Sequence, residues 1–360
     1  MLNKLPQIQG IRALAIFSIF LPHTVTWLSD DIGVLLILIS RLGCSGVATF
    51  LILSGFLLAY KQKQIPSVEK CNVIKSAWQK VSKMYVLYII TCVVAFLART
   101  QWPLSVHDWL ITAISFGFNL TMTQAFLPIE EILCAFNAPA WFLSALFGIW
   151  IVLYLFPKGV NKLLSLSTRQ CVVAIIALLA TQGMWLLFCA KYIGGVFHAS
   201  YIVYEWLVYY NPLICLSEYF VGVLLGRFCA QRQYSVTAQN AIAVTTLAVL
   251  VVYSILLTTS YIHVSSLKMV VAECFAGLGI VAVMSPQSVG YKFLTMQPLV
   301  RFGDISGYFF LIHGAVNFLI YATVVEYVPK PWLFFVSFIV SVLLSLFADY
   351  CYNGRKRISG

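Results

Sequence analysis

The chain has 360 residues, 61% of them hydrophobic and 10% charged, with a formal net charge of +11. Soluble domains carry about a quarter charged residues, so an ordinary water-soluble fold is excluded. The positive charge does not argue for nucleic acid either, because the lysines and arginines fall mostly in short loops between apolar runs, where they set membrane topology.

Apolar runs of roughly 20 residues, the length that crosses a bilayer as a helix, recur from end to end. They predict an all-α, polytopic transmembrane bundle. A β-barrel would show short alternating segments instead. In chain order, spans are expected near 9–28, 43–60, 79–98, 139–156, 171–190, 206–226, 238–258, 266–285, 304–324 and 332–351. A weaker run, 104–123, contains His107, Asp108 and Asn119 and follows Pro103. If it does not cross and the N-terminus is cytoplasmic, eighteen of the 23 basic residues lie inside and five outside. If it crossed, Lys158, Lys162, Arg169 and the Arg355–Arg357 cluster would move outside. The positive-inside rule therefore favours about ten spans and two cytoplasmic termini, with 104–123 re-entrant or interfacial. No repeat, linker or low-complexity stretch divides the chain, so 1–360 reads as a single membrane domain.

The first run follows Lys4 but contains Arg12, Pro22 and His23 and has no small-residue cleavage site, so it reads as a retained helix and not a signal peptide. None of the ten cysteines forms a CxxC or a Cys/His metal spacing. Most lie in apolar runs, as small packing residues do.

In "GIRALAIFSIFLPHTV" (10–25), Arg12 and His23 are eleven steps apart. At about 100° and 1.5 Å per residue, they share one helix face, roughly 16 Å apart along the axis. With the N-terminus inside, Arg12 sits near the cytoplasmic mouth and His23 in the outer half. Each has an ordinary explanation: snorkelling for Arg12, a helix-packing hydrogen bond for His23. On one face they suggest a polar path through the bundle, since intramembrane ionisable groups are costly. A neutral imidazole can serve as a base near pH 7, and a guanidinium suits a phosphate-bearing ligand. Elsewhere, Trp141 and Ser144 begin a helix at the outer face, Glu218 and Glu273 fall within spans, and His313 lies near mid-helix.

Five stretches carry a likeness, in order: "LPQIQGIRALAIFSIFLPHTV" with Arg12 and His23; "GCSGVATFLILSGFLLAY" with Gly46-Val47 and Ser54-Gly55-Phe56; "APAWFLSALFGIWIVLYLF" with Trp141 to Ser144; "LSEYFVGVLLGRF" with Glu218, Phe220, Gly222 and Gly226; and "FGDISGYFFLIHGAV" with Ser306, Tyr308 and His313. Together they resemble the acyltransferase 3 family of membrane acyltransferases across nearly the whole chain. Two positions depart from the family pattern. Ala48 stands where an acidic residue is usual, and Lys80, Lys83 and Val86 replace the arginines and the proline of the third helix.

The resemblance implies transfer of an acyl group, acetyl by default, from cytoplasmic acetyl-CoA to a hydroxyl of a carbohydrate. The acceptor would be a cell-surface or lipid-linked glycan, and the location a bacterial inner membrane. His23 and His313 are then the catalytic candidates. His23 is the general base, and His313 orients it, binds substrate or packs. Arg12, Lys80 and Lys83 fall at the inner face, where the phosphates of acetyl-CoA would lie. Trp141 and Ser144 are the acceptor candidates. Acetyl-CoA enters as a co-substrate, with no resident cofactor or metal expected. The competing expectation is a multi-pass transporter or flippase for a lipid-linked sugar or small metabolite, which buried Arg, His and Glu would also suit. A passive scaffold leaves the Arg12/His23 pair without a reason.

Overall fold

The computed structural model describes residues 5–24, 43–61, 65, 72–99, 105–196, 199–232, 234–258 and 268–354. Lys4, residues 25–28 of the first expected span and the Arg355–Arg357 cluster lie outside the described residues. Among the described residues every regular element is helical. The principal helices are α1 (Pro6–Thr24), α2 (Gly43–Tyr60), α3 (Val73–Arg99), α4 (Val106–Leu120), α5 (Trp141–Leu155), α6 (Thr168–Phe188), α7 (Pro212–Ala230), α8 (Val236–Thr258), α9 (Lys268–Ala282), α10 (Gln297–Thr323) and α11 (Lys330–Asp349). Six stretches are long and apolar enough to cross a membrane: Val73–Arg99, Ala138–Leu155, Thr168–Gly194, Tyr201–Ala230, Gln297–Thr323 and Lys330–Gly354. Three shorter apolar helices are Ser45–Tyr60, Val236–Val252 and Met269–Ala282.

One expected span is not a single helix. The run 206–226 breaks at Asn211, whose side chain accepts a hydrogen bond from the Leu213 N–H, and Pro212 begins α7. Proline has no N–H to continue a helix but suits the first position of a new one. The residues before the break, Trp206–Tyr210, form a π-helical turn.

Two parallel helix pairs make the centre. α2 and α7 form the most extensive contact. A Cβ on Gly222 would run into the Ile52 carbonyl, and one on Gly226 would meet the Phe56 carbonyl at the same spacing. Small residues at a helix interface let the backbones approach closely enough for dispersion to hold them, as lipid-facing helices require. α1 runs parallel to α10 in the same way: Gly303 lies against Gln9, Gly307 beside Arg12, and Asn317 beside His23. α2 bridges the two pairs by packing on α1, and α3 packs on α10.

The segment expected to be re-entrant or interfacial dips into the bundle and returns. α4 starts with a capping box between Ser105 and Asp108. Its 15 residues span about 22 Å, short of the roughly 30 Å hydrocarbon layer. Its far end is held at the middle of α3: the Tyr85 hydroxyl donates to the Leu120 carbonyl at 2.8 Å, and the Tyr88 hydroxyl donates to the Asn119 carbonyl at 2.9 Å. The chain then climbs back until Arg99, at the end of α3, donates to the carbonyls of Cys134 and Phe136, both at 3.1 Å. Asn119 and Ser144 donate to carbonyls of the returning chain, at Ile132 and Met122, while Gln124 donates to the Tyr88 hydroxyl and Asn137 to the Leu311 carbonyl of α10. Non-helical chain at this depth is tolerated only when its polar groups are paired inside protein.

Candidate active site

α1 presents His23 at one end of the bundle, next to Pro22, which stands within the helix. α10 brings His313 against it. The two rings approach with His313 Nε2 3.2 Å from His23 Nδ1. His313 is wholly buried, while His23 is open to the adjoining cavity. The proton positions follow from the partners. His313 Nδ1 lies 3.0 Å from the Phe309 carbonyl. A carbonyl only accepts, so Nδ1 carries the hydrogen and Nε2 of the neutral ring is an acceptor. His23 Nδ1–H therefore donates to His313 Nε2, which leaves a lone pair on His23 Nε2. One buried imidazole thus fixes the tautomer and orientation of the exposed one, as the third member of a catalytic triad does for its histidine.

The support continues outward. Phe309 stacks on His313 with ring centroids 5.8 Å apart and planes 10° apart. Asn317 Nδ2 donates to the His23 carbonyl at 3.4 Å, and Ser337 donates to Asn317 Oδ1. The cavity beside His23 measures about 220 Å³. Its walls are Ile19 and Pro22 of α1, Val47 of α2, Phe310 of α10, the returning loop at Cys134, Ala138 and Pro139, and the aromatic group Trp141, Tyr209 and Tyr210. Trp141 meets Tyr209 and Tyr210 edge-on at 5.1 and 4.9 Å between centroids. The two tyrosines come from the π-helical turn ahead of Asn211. The Trp206 indole anchors that turn by donating to the Ala125 carbonyl at 2.8 Å.

Arg12 lies toward the other end of α1, half-buried. Nη1 donates to Gln9 Oε1 at 3.4 Å, and the guanidinium lies 5.8 Å from the centre of the Phe50 ring. Asp304 on α10 supplies the opposing charge. Gly307 lies beside both the guanidinium and the tip of Met84. Met84 lies one turn beyond Lys80 and next to Lys83, so α3 brings its two lysines to the same end of the bundle. Both are exposed, and Lys80 Nζ sits 4.7 Å over the Trp150 ring.

The structure thus places His23 and Trp141 in the wall of one cavity, with His313 buried behind His23, and Arg12, Lys80 and Lys83 toward the opposite end. Ser144 stands apart from both. Its hydroxyl donates to the Met122 carbonyl at 2.8 Å and accepts from the Ala125 N–H at 3.1 Å, fully buried. Met122 has φ of 52°, a left-handed conformation costly for a residue with a side chain. Ser144→Ala should therefore lower stability by about 1–3 kcal/mol, the cost of buried groups left unpaired, with acceptor KM unchanged. Thermal unfolding beside acceptor saturation checks this; a raised KM at unchanged stability would contradict it. Asp304, Tyr209 and Tyr210 were not singled out in the sequence. An acid in an apolar helix was a usable signal for Asp304. The tyrosines carried none, being indistinguishable from an interfacial aromatic belt.

A bundle of long apolar helices in which one of two paired histidines opens on a cavity is the architecture of an integral membrane protein. The comparison with known families makes the assignment specific: a family model described as an acyltransferase domain matches residues 5–350, and the chain belongs to the acyltransferase 3 family. A curated relative, Acyltransferase MdmB of Streptomyces mycarofaciens, is 26% identical over 240 residues, covering 62% of this chain and 57% of that protein. The match thus spans little more than half the length of that relative. No solved structure matches the chain significantly.

Proposed function

We propose that the chain is a membrane O-acyltransferase that moves an acyl group, acetyl from acetyl-CoA, to a carbohydrate hydroxyl in the His23 cavity. The observation that carries this reading is the His313–His23 hydrogen bond, which leaves His23 Nε2 as an oriented base on the cavity wall. In this reading the bundle has about ten spans with both termini in the cytoplasm, in a bacterial inner membrane. The basic end then faces the cytoplasm and the cavity faces outward. The CoA phosphates engage Arg12 with Lys80 and Lys83. The pantetheine arm runs the length of α1 between Arg12 and His23, about 16 Å.

The acceptor hydroxyl gives its proton to His23 Nε2 as its oxygen attacks the thioester carbonyl. The C–O bond forms, the tetrahedral intermediate collapses with loss of the C–S bond, and His23 returns the proton to the departing thiolate. His313 acts as a positioning residue, holding Nδ1–H of His23 throughout. Trp141, with Tyr209 and Tyr210, offers apolar faces on which a sugar ring can lie, and the cell-surface or lipid-linked glycan extends away from the bundle.

The donor half of this reading is tested by binding. Arg12→Ala should weaken acetyl-CoA binding to the purified protein by about ten- to a hundred-fold, the worth of a charge-assisted hydrogen bond. Arg12→Lys should recover part of it. Titration calorimetry reads the change, and undiminished affinity in Arg12→Ala would remove Arg12 from the donor site. Comparing ester-linked acyl groups on the surface glycans of a deletion strain and its parent identifies the acceptor.

A further inference from the structure

Two carboxyls are buried between α7 and α9, neither of them in the wall of the histidine cavity. Glu218 on α7 and Glu273 on α9 are 2% and 1% exposed, and Gln182 of α6 beside them is 4% exposed. Each carboxyl lies within the electrostatic reach of the other, and no basic side chain acts on either among the described residues. Two bare carboxylates in so desolvated a place would be prohibitively costly, so the pair needs a positive partner.

The neighbouring amide shows which partner fits. The Ser217 hydroxyl lies 2.8 Å from the Ile214 carbonyl and 3.1 Å from the Gln182 amide oxygen. One hydroxyl hydrogen cannot fill both bonds well, and in this arrangement Gln182 Nε2 faces Glu273 without completing a hydrogen bond to it. Turning the amide over resolves both faults. Ser217 then donates to Ile214, and Gln182 Nε2 donates to Ser217 Oγ. The Gln182 oxygen now faces Glu273, whose two oxygens are otherwise without hydrogen bonds. An amide oxygen pointing at a carboxyl calls for a hydrogen on that carboxyl.

We propose that Glu273, with Glu218, Gln182 and Ser217, forms a proton-binding site inside the membrane, separate from the acyl-transfer site. The bound proton sits on Glu273, donated toward Gln182 Oε1. The other titratable groups that face it are the thiols of Cys215 on α7 and Cys274 on α9. Glu273 also forms part of the wall of a cavity of about 430 Å³ between α6, α7, α8 and α9, otherwise lined mainly by aliphatic side chains such as Ile175, Leu179, Val221 and Leu225. The Glu273 side chain therefore borders a cavity that a small apolar reagent can enter, and its two oxygens, covered at rest, are reached from that side.

Dicyclohexylcarbodiimide tests this directly, because it modifies protonated carboxyls that it reaches through apolar surroundings. The acid adds across one C=N bond of the reagent, its proton going to nitrogen. The adduct rearranges to an N-acylurea, so the whole reagent mass is retained and nothing is oxidised or released. Mass spectrometry of the protein labelled in membranes should find the adduct on Glu273. Labelling should fall by about ten-fold per pH unit above its midpoint, the slope of one proton. Glu273→Gln should remove the label. Glu218→Gln should keep it. Replacing choline salt with sodium salt should change nothing. An unlabelled Glu273 over the whole pH range would overturn the proposal, and so would protection by sodium, which would make this a metal-cation site. None of these readouts depends on acyl transfer.

Discussion

Replacing His23 with alanine should lower the rate of acyl transfer by about 10²- to 10⁴-fold, the usual contribution of a positioned general base. Binding of acetyl-CoA should be unaffected, because His23 and Arg12 stand three helical turns apart. His313→Ala should cost less. The exposed ring keeps its place on α1 and its bond to the Ile19 backbone, but loses the imidazole acceptor that orients it. A combined variant should be no slower than His23→Ala alone, since residues that act as one unit do not add. The measurement is acyl ester formed per protein in reconstituted vesicles, with acetyl-CoA affinity followed in parallel. Full activity in His23→Ala would end the general-base assignment. Additive losses in the double variant would mean that His313 acts by some route other than through His23.

Gly222→Leu should prevent stable folding. Overpacking a core commonly costs about 1–3 kcal/mol when neighbouring side chains can move aside. Here the obstacle is the backbone carbonyl of Ile52, and the same contact recurs one turn later between Gly226 and Phe56. Relief would require α2 and α7 to separate along the largest interface in the molecule. The matched control is Gly117→Leu. Gly117 also lies in a helix, but nothing lies within 4 Å of its would-be Cβ. Size-exclusion profiles and thermal denaturation in detergent should show an aggregated or low-melting Gly222→Leu and an unchanged Gly117→Leu. Equal melting of both variants would refute the close packing.

The features legible in the sequence were those carried by long runs and by spacing within a single helix. Hydropathy placed the apolar helices, and the eleven-step interval placed Arg12 and His23 on one side of α1. Charge placement set 104–123 apart from the spans; in the structure α4 is mostly exposed and its end is tied to Tyr85 and Tyr88 of α3. What escaped depended on partners far away in the chain. A hydropathy average taken over 206–226 runs across Asn211 and Pro212, so it hid the break that turns Tyr209 and Tyr210 toward Trp141. Ser144 looked available for an acceptor, because nothing in its own helix reveals that its bonds go to a left-handed turn 22 residues earlier. Asp304 stands in an apolar helix, and its charge bears on Arg12 through the pairing of α1 with α10, which the sequence does not reveal.

The pairing of α1 with α10 also constrains how the protein is made. His23 and His313 are 290 residues apart, so the ribosome finishes most of the chain before the partner of the first helix exists. Until then, His23 lacks its imidazole partner, a costly state for a polar group in lipid, while Arg12 already has Gln9 in its own helix and Phe50 of α2 beside it. Ribosome-stalled nascent chains that stop before α10 would contain Arg12, Lys80 and Lys83 and still lack the histidine pair.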